Sequence, residues 1–265
     1  MLLSLDTGAS ALEQYQEDIN VIANNIANVN TVAFKSSSVN FADTLSETLG
    51  STAAGTTQIG TGVTTASILN DFSTPGGLTS TGVESNLAVD GNGFFVVKDP
   101  TSGSSFVTQD GTFTVDQNGY LVTSNGMQVQ GATGSIQISN TSDPTATVSG
   151  YSIGTDGTVT VQFSDNTTTS AGQIMLQNFT DPDQLTKMGD NLYSLTAAAG
   201  ALAAPAAPGS AGLGTIQSGY LEMSNVDLTT QLTDLITAQQ AYSANSKVIT
   251  TSDDILQTLI NMKQG

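Results

Sequence analysis

Residues 12–29 read LEQYQEDINVIANNIANV, and the spacing of the apolar side chains in this stretch indicates how the chain begins to fold. Apolar residues recur three or four positions apart, and acidic and amide side chains fill the positions between them. A narrow apolar stripe is typical of heptad a and d positions, so it predicts a helix whose seam packs against another helix. An amphipathic helix on the core of its own domain is the alternative. The seam residues are Leu12, Tyr15, Ile19, Ile22, Ile26 and Val29.

The C-terminal residues 224–265 carry a second helical pattern. Ser224-Asn225-Val226-Asp227 supplies residue types that cap helix N-termini. Two adjacent apolar lines follow, and together they predict a helix that packs on more than one neighbour. A long helix lying on a β domain is the alternative. One line is Leu228, Leu232, Leu235, Gln239, Tyr242, Ser246, Ile249, Asp253, Leu256 and Ile260, and the other is Ala238, Ala241, Val248, Ile255, Leu259 and Met262.

The sequence between these helices has the turns of β structure. Residues 86–97 resemble a strand, a Gly-rich turn and a second strand, and Asn125-Gly126 is a strong two-residue hairpin signal. Residues 60–195 therefore predict many short antiparallel strands in a barrel or sandwich. The small residues 51–57 are expected to form an exposed loop, and the Ala/Pro-rich residues 197–208 a linker or extended arm.

The predicted fold class is α+β, mainly β, with the terminal heptad helices forming an α-hairpin or coiled-coil layer around an inserted antiparallel β domain. We expect five segments along the chain. They are an N-terminal helix (1–35), a connecting segment with the first β structure (36–85), the β domain (86–196), a linker with a return strand (197–223) and a C-terminal helix (224–265).

Charge and composition exclude several classes of protein. The 265 residues include five lysines, no arginine and 23 acidic residues, so the formal net charge is −18. Nucleic acids and anionic membrane surfaces are recognised by clustered Lys and Arg, which five scattered lysines cannot provide. No apolar run is long enough to span a membrane, and the first residues lack the basic and apolar regions of a secretory signal. Export, if it occurs, is therefore expected to use another route.

Most catalytic and metal-binding chemistry is also excluded. Without His or Cys there is no Ser-His-Asp triad, no thiol nucleophile and no His-bearing zinc site. Paired carboxylates remain as catalytic candidates, but nothing in the sequence singles out one pair. Possible calcium ligands lack the register of a calcium loop. The carboxylate candidates are Glu84, Asp90, Asp110 and Glu222, and the calcium candidates are Asp181, Asp183 and Asp190. We therefore expect no enzyme, no cofactor and no metal site.

Four regions, in order along the chain, resemble motifs of bacterial flagellar rod and hook proteins. They are IANNIANVNTVAFK at 22–35, NLAVDGNGFF at 86–95, DPDQLTKMGDNLY at 181–193, and the C-terminal pieces at 224–228, 238–242 and 255–259. The resemblance covers nearly the whole chain. The signature residues that carry it are Asn24, Asn25, Asn28, Phe34, Lys35, Gly91, Gly93, Phe94, Asn225 and Val226.

The resemblance implies a structural subunit that self-assembles into a helical tube, with its terminal helices inside and its β domain outside, and that transmits torque. It implies neighbouring rod, hook and junction subunits and an assembly cap as partners. It also implies passage through the flagellar type III export apparatus without a cleaved signal, to the basal body or hook. Residues expected to pack subunits are Leu12, Tyr15, Ile19, Ile22, Ile26, Val29, Leu228, Leu232, Leu235, Tyr242, Ile249, Leu256 and Leu259.

Within this family, residues 41–43, 71–73 and 225–228 favour a hook protein, whereas the length favours a distal rod protein. We expect a hook protein, with distal rod as the alternative and a secreted β-rich adhesin or carbohydrate-binding module as the second alternative. Ala33 stands where the family usually has Gly. If its φ is positive, Ala costs about 1 kcal/mol there, and the turn after the first helix could differ.

The terminal helices are expected to become ordered on assembly rather than in the free subunit. Neither apolar line of the C-terminal helix is complete, and helical stability comes mostly from packing.

Overall fold

A computed structural model of the chain describes residues 2–52, 55–138, 147–200 and 204–264. The chain divides into two compact units. The terminal unit takes residues 1–29, 36–71 and 226–265, and the β unit takes residues 30–35 and 72–225. The predicted α+β, mainly β class is confirmed, because a helix at each end of the chain flanks a long series of antiparallel strands.

The helices of the terminal unit are α1 (Leu2–Ala27) and α2 (Leu228–Gln264). The hydroxyls of Ser4 and Ser252 are 3.5 Å apart, and Asn25 Nδ2 donates a hydrogen bond of 2.9 Å to Gln231 Oε1. The start of α1 thus meets the end of α2, and the end of α1 meets the start of α2. The two helices therefore form an antiparallel pair. None of the described helices is long and apolar enough to cross a membrane.

The buried and half-buried residues of α2 come from both predicted apolar lines, among them Leu235 and Ile249 of the first and Ala238 of the second. Ala238 and Ser252 are 3% and 7% exposed. The exposed large apolar residues of the two lines are Leu228, Leu232, Val248, Ile255, Leu259, Ile260 and Met262. On the facing helix, a Cβ added to Gly8 would lie 3.1 Å from Ile249 Cγ1. The α1–α2 contact is therefore built largely on small residues, which let the two backbones approach closely.

Four strands complete the terminal unit: β1 (Ser37–Asp43), β2 (Ser46–Thr52), β3 (Gly55–Gly60) and β4 (Val63–Asn70). β1 pairs with β4 and β2 pairs with β3, both antiparallel. α1 packs on β1 and β4, and the Tyr15 and Phe41 ring centroids are 6.0 Å apart. The loop expected at 51–57 is wrong where the structure describes it. Ser51 and Thr52 pair with Thr56 and Gly55, because the β-branched threonines of this segment favour β-strands. Residues 53–54 lie outside the described residues.

The described part of the β unit contains short strands numbered β5 to β20. They are β5 (Leu78–Ser80), β6 (Leu87–Asp90), β7 (Phe94–Lys98), β8 (Ser105–Thr108), β9 (Thr114–Val115), β10 (Leu121–Val122), β11 (Gln128–Gly131), β12 (Gly134–Ser135), β13 (Val148–Ile153), β14 (Thr158–Phe163), β15 (Thr168–Gln173), β16 (Leu176–Gln177), β17 (Thr186–Gly189), β18 (Leu192–Ser194), β19 (Thr215–Ser218) and β20 (Tyr220–Glu222).

The largest sheet has the order β17-β18-β8-β7-β11-β10-β9, with β12 paired to β11 and β16 to β7. A separate sheet has the order β13-β14-β15, and β19–β6 and β20–β5 form two-stranded pairs. Every ladder between described strands is antiparallel, so the prediction of many short antiparallel strands is confirmed.

β7 separates two hydrophobic cores because its side chains alternate between the faces of the sheet. Phe95 and Val97 belong to the larger core, and Phe94 and Val96 to the smaller one. The rings of Phe95 and Phe113 meet edge to face with centroids 5.1 Å apart. Both faces of β7 are thus buried, which makes it the central strand of the β unit.

The Ala/Pro-rich residues 197–208 are part of the β unit where the structure describes them, rather than a free linker. Ala199 is fully buried in the smaller core. Ala206 and Leu176 exchange two backbone hydrogen bonds of 2.9 Å. Small alanine side chains fit closely against the sheet, which composition alone did not indicate. Residues 201–203 lie outside the described residues.

Candidate functional site

Lys35 and Glu222 form an ion pair inside the β unit. Lys35 Nζ lies 2.7 Å from Glu222 Oε1, and the two side chains are 2% and 4% exposed. The same oxygen accepts a hydrogen bond of 2.8 Å from the backbone N–H of Gly76. A buried carboxylate with both partners in place is balanced in charge and hydrogen bonding. Glu222, considered above as a catalytic carboxylate, is therefore engaged in the structure of the β unit.

Backbone hydrogen bonds join the N-terminal and C-terminal signatures around this ion pair. The N–H of Ala33 donates to Glu222 O at 2.8 Å, and the N–H of Asn225 donates to Phe34 O at 3.3 Å. Asn225 Nδ2 also donates to Thr74 O at 3.1 Å. Signature residues that are far apart in sequence therefore meet in one place in the β unit.

The third motif region also contacts residues 30–35. Asn191 Nδ2 donates to Val32 O at 2.7 Å, and Lys187 Nζ donates to Lys35 O at 3.5 Å. The Lys187 ammonium lies 4.9 Å from the Phe34 ring centroid, within cation–π range. Burial lowers the pKa of Lys187. The sequence resemblance found this region but gave no reason to single out Lys187.

Ala33 adopts the left-handed conformation that the resemblance to Gly-containing relatives suggested. Its φ is +54°, and its side chain is 1% exposed. Ala33 therefore has the positive φ at which alanine is less favourable than glycine. The turn keeps the glycine-like backbone although the residue is alanine, because the Ala33 N–H is held by Glu222 O.

The second motif forms a tight turn between β6 and β7. Gly91 has φ +117°, and a Cβ there would lie 2.9 Å from Gly214 Cα, so the close approach of the two backbones requires glycine. Gly93 follows with φ +144°. Phe94 is buried, with ring centroids 5.3 Å from Phe72 and 5.4 Å from Phe179. These three signature residues therefore shape and anchor the turn.

A cavity of about 590 Å³ lies beside this turn and the ion pair, lined by Phe72, Asn92, Asn178 and Asp181 among others. Gln109 also lines it, and its Nε2 donates to Gly93 O at 3.3 Å. Gln109 Oε1 has no partner among the described residues but is itself sealed from solvent. The oxygen therefore does not present an acceptor to the cavity.

The other acidic candidates include carboxylates held in local turns and carboxylates exposed at the surface. Asp110 accepts hydrogen bonds from the backbone and hydroxyl of Thr112 at 2.9 and 2.8 Å. Glu84 and Asp90 are exposed, and Asp190 accepts a hydrogen bond from Asn125. Within the described ranges, no group of three or more His, Cys, Asp or Glu side chains could hold a metal ion.

Asn25 is the buried polar centre of the terminal unit, at 1% exposed. Its Nδ2 donates to Ser37 O at 2.8 Å and to Gln231 Oε1 at 2.9 Å, and its Oδ1 accepts from the Ser37 N–H at 3.0 Å. One side chain thus joins α1, β1 and α2. A buried Asn in a helix seam fixes register. Asn28 Nδ2 instead donates to Asn24 O at 2.9 Å at the end of α1.

The predicted packing residues fall into three classes of exposure. Ile22 is buried. The half-buried residues are Leu12, Tyr15, Ile19, Ile26, Val29, Leu235, Tyr242, Ile249 and Leu256, together with the signature residue Val226. The exposed ones are Leu228, Leu232 and Leu259. The second apolar line predicted on α2 included Ala238, whereas the apolar pattern did not identify Gly8 and Ser252.

Most of the exposed large apolar residues on α2 form two groups on different faces of the helix, and exposed Ile260 belongs to neither group. The first group is Leu228, Leu232 and Ile236, and the second is Val248, Ile255, Leu259 and Met262. At 3.6 residues per turn, the groups lie on opposite sides of the face that contacts α1. α2 therefore presents apolar surface in two directions that α1 does not cover.

Three family profiles match the chain in order. "Flagella basal body rod protein" matches residues 5–35, "Flagellar hook protein FlgE/F/G D1 domain" residues 88–161, and "Flagellar basal body rod FlgEFG protein C-terminal" residues 217–262. The flagellar basal-body rod protein FlgG of Bacillus subtilis (strain 168) is 43% identical over 273 residues, covering 100% of both chains. The chain belongs to the flagellar rod and hook protein family.

Other relatives distinguish the branches of the rod and hook family. The basal-body rod protein FlgG of Caulobacter vibrioides is 37% identical, covering 98% of this chain and 99% of its own. The flagellar hook protein FlgE of Borreliella burgdorferi is 26% identical, covering 99% and 100%. The expectation of a hook protein is therefore supported only at the level of the family, and the distal rod alternative fits better. This family is a structural component of the flagellum and not an enzyme family.

Proposed function

We propose that this chain is the subunit of the distal rod of the flagellar basal body, where copies assemble into a torque-transmitting tube. The observation that carries the proposal is the 43% identity to a basal-body rod protein over the full length of both chains. The hook relative is less similar, at 26% identity. A hook subunit is the second candidate, supported by the sequence motifs at 41–43 and 225–228.

The terminal unit supports assembly through its helices. α2 buries one face against α1 and leaves apolar side chains exposed on both sides of it. Exposed apolar surface of this kind marks an interaction site. Neighbouring copies are the partners proposed to cover it, and Leu228, Leu232 and Leu259 are proposed to pack between subunits.

The β unit supports a role that requires rigidity. The ion pair of Lys35 with Glu222 and the hydrogen bonds of Ala33 and Asn225 hold residues 30–35 on the sheet scaffold. We assign the rod, hook and junction subunits, the assembly cap and the type III export apparatus as further partners, as the family resemblance implies.

An epitope tag tests the location. The turn at 101–104, between β7 and β8, is exposed and accepts an insertion without disturbing a core residue. Isolated hook–basal bodies from a motile tagged strain would be labelled with gold-conjugated antibody. Label on the rod supports the proposal, and label along the hook would identify the hook subunit instead. An untagged strain provides the control for background labelling.

A further inference from the structure

Two turn residues of the β unit, Asn92 and Asp181, make no local hydrogen bond through their side chains. Asn92 lies between Gly91 and Gly93, and its side-chain amide has no partner among the described residues. Asp181 stands at the capping position of a 3₁₀ turn (Pro182–Gln184), but its carboxylate caps no N–H. Asn and Asp at such positions normally bond to the backbone a few residues further on. The fold therefore leaves both side chains unused.

Other aspartates in turns of the β unit do make these bonds. Asp99, Asp156 and Asp165 each accept from the backbone N–H two residues further on, at 2.8, 3.1 and 2.9 Å. Asp110 accepts in the same way from Thr112. A residue that departs from such a local rule in a native protein is expected at a functional site. The unused carboxylate of Asp181 is therefore a candidate for binding.

Asn92 and Asp181 both line the cavity of about 590 Å³ in the β unit. Three aromatic side chains line it as well: Phe94 and Phe179 are buried and Phe72 is half-buried. The Phe94 ring centroid lies 5.3 Å from that of Phe72 and 5.4 Å from that of Phe179, so the three rings are in contact. A cavity of this size that combines apolar walls with a few polar groups is the usual form of a small-ligand site.

The cavity also has unused hydrogen-bond donors. Asn178 lines it, and although Asn178 Oδ1 accepts from the N–H of Phe179 at 2.9 Å, its Nδ2 has no partner in the described part of the chain. Gly93 lines it too and is buried, and no acceptor among the described residues meets its N–H. A buried N–H is rarely left without an acceptor, so an oxygen atom of a ligand would stabilise this group.

The charges around the cavity favour an uncharged ligand. Lys35 and Glu222 neutralise each other in their ion pair. The carboxylates of Asp181 and Asp183 disfavour an anion, and the amide and backbone donors disfavour a cation. In the described ranges, no group of three or more acidic side chains could hold a metal ion. A ligand with hydroxyl groups suits this set, because each hydroxyl both donates and accepts.

A compact ligand fits the cavity better than an extended peptide does. A peptide that adds a strand needs a free row of backbone donors and acceptors at the edge of a sheet. Beside the cavity, the first residues of β7 are paired on both sides: Phe94 pairs with Gln177 of β16, and Phe95 pairs with Leu176 of β16 and Thr108 of β8. The turn therefore has no free edge, and its single unused N–H suits one oxygen atom of a ring.

We propose that this cavity of the β unit binds a neutral sugar ring of a glycan. The apolar face of the ring packs on the aromatic side chains. Its hydroxyls donate to the Asp181 carboxylate and accept from Asn178 Nδ2 and the Gly93 N–H, while the Asn92 amide contacts the ring at the rim. The cavity lies wholly in the β unit. The proposal therefore does not depend on order in the terminal helices or on the choice between rod and hook.

Titration of the isotope-labelled full-length chain with neutral trisaccharides, followed by nuclear magnetic resonance, tests the site. Maltotriose and the trimer of N-acetylglucosamine would be added separately, at millimolar concentrations. At least one of them is expected to shift the backbone amide of Gly93 and the side-chain amide of Asn178 until the shifts saturate. No saturable shift with either sugar would overturn the proposal. Shifts of these amides on raising the protein concentration alone would instead indicate a segment of a second copy in the cavity and would also overturn it.

Two cavity variants and a matched control separate sugar binding from stability. Asp181→Asn keeps the size of the side chain but removes its charge, and it is expected to weaken sugar binding about tenfold. Asn92→Ala should weaken binding as well. Both should keep the thermal midpoint of the wild-type chain, since neither side chain has a partner to lose. Glu84→Gln, at an exposed carboxylate outside the cavity lining, is the control and should bind normally. Unchanged binding in both cavity variants, or an equal loss in the control, would contradict the site.

Discussion

Lys35 and Glu222 are 187 positions apart in sequence, yet their charged groups lie 2.7 Å apart in the interior of the β unit. Lys35 ends the N-terminal signature, and Glu222 precedes Asn225 of the C-terminal signature by three residues. The pair therefore fixes residues 30–35 to β20, the last strand before α2.

Breaking this ion pair is expected to lower the free energy of unfolding. Lys35→Met leaves the Glu222 carboxylate buried without its cation, which costs about 3–5 kcal/mol in the free energy of unfolding. The double variant Lys35→Met/Glu222→Leu should recover most of that loss, because neither charge then remains. Chemical denaturation of the β unit measures both. Lys98→Met at an exposed site is the control, and an equal loss there would count against the buried pair.

Replacing Ala33 tests the left-handed turn. Ala33→Gly relieves backbone strain of about 1–2 kcal/mol but adds chain entropy worth about 0.4–1 kcal/mol in the unfolded state, so stability should stay level or rise slightly. Ala88→Gly is the matched control, because Ala88 is equally buried without a positive φ, and it should lower stability. Denaturation midpoints for the two variants give the comparison. A comparable loss at both positions would refute the strain argument.

The rate of amide hydrogen exchange is expected to differ between the two units of the free subunit. The amides of α1 and α2 are expected to exchange fast, because few buried apolar contacts stabilise these helices until neighbouring subunits cover them. The Ala33 amide is expected to be protected, since it donates to Glu222 O at 2.8 Å inside the β unit. Exchange followed by mass spectrometry resolves these segments. Strong protection of α1 in the monomer would show that the helices are ordered before assembly.

Charges on the exposed faces of α2 should block assembly without unfolding the subunit. Leu232→Glu and Ile255→Glu each place a carboxylate where we expect an apolar contact between copies, and burial of an unpaired charge costs several kcal/mol. Gln240→Glu, at an exposed polar position of α2, is the control. Motility and recovery of basal bodies report assembly. Normal motility of both apolar-site variants would show that these faces are not covered.

Periodicity in the sequence located both helices, because heptad spacing persists even when individual positions are polar. It did not show which members of the two apolar lines face α1. Ala238 is buried while Leu232 is exposed, since close helix packing favours small residues, and spacing alone does not rank a small residue above a large one. The turn signals likewise predicted antiparallel strands, and Gly91 and Gly93 occupy the positive-φ positions of such a turn.

Long-range polar contacts could not be predicted from the sequence. Nothing in the neighbourhood of Glu222 indicates that its partner is Lys35, because the contact depends on how β20 and residues 30–35 meet in the folded β unit. The hairpin of β2 and β3 was also missed, since Ser, Thr and Gly occur both in loops and in strand pairs, and pairing decides between them.

Electron microscopy of basal bodies from a strain that lacks this gene tests the central claim most directly. The account predicts a rod that stops short, with no hook or filament attached, and restoration of the full structure when the gene is returned. A complete rod without a hook would contradict the distal rod assignment and identify a hook protein. Normal flagella would contradict the axial role as a whole.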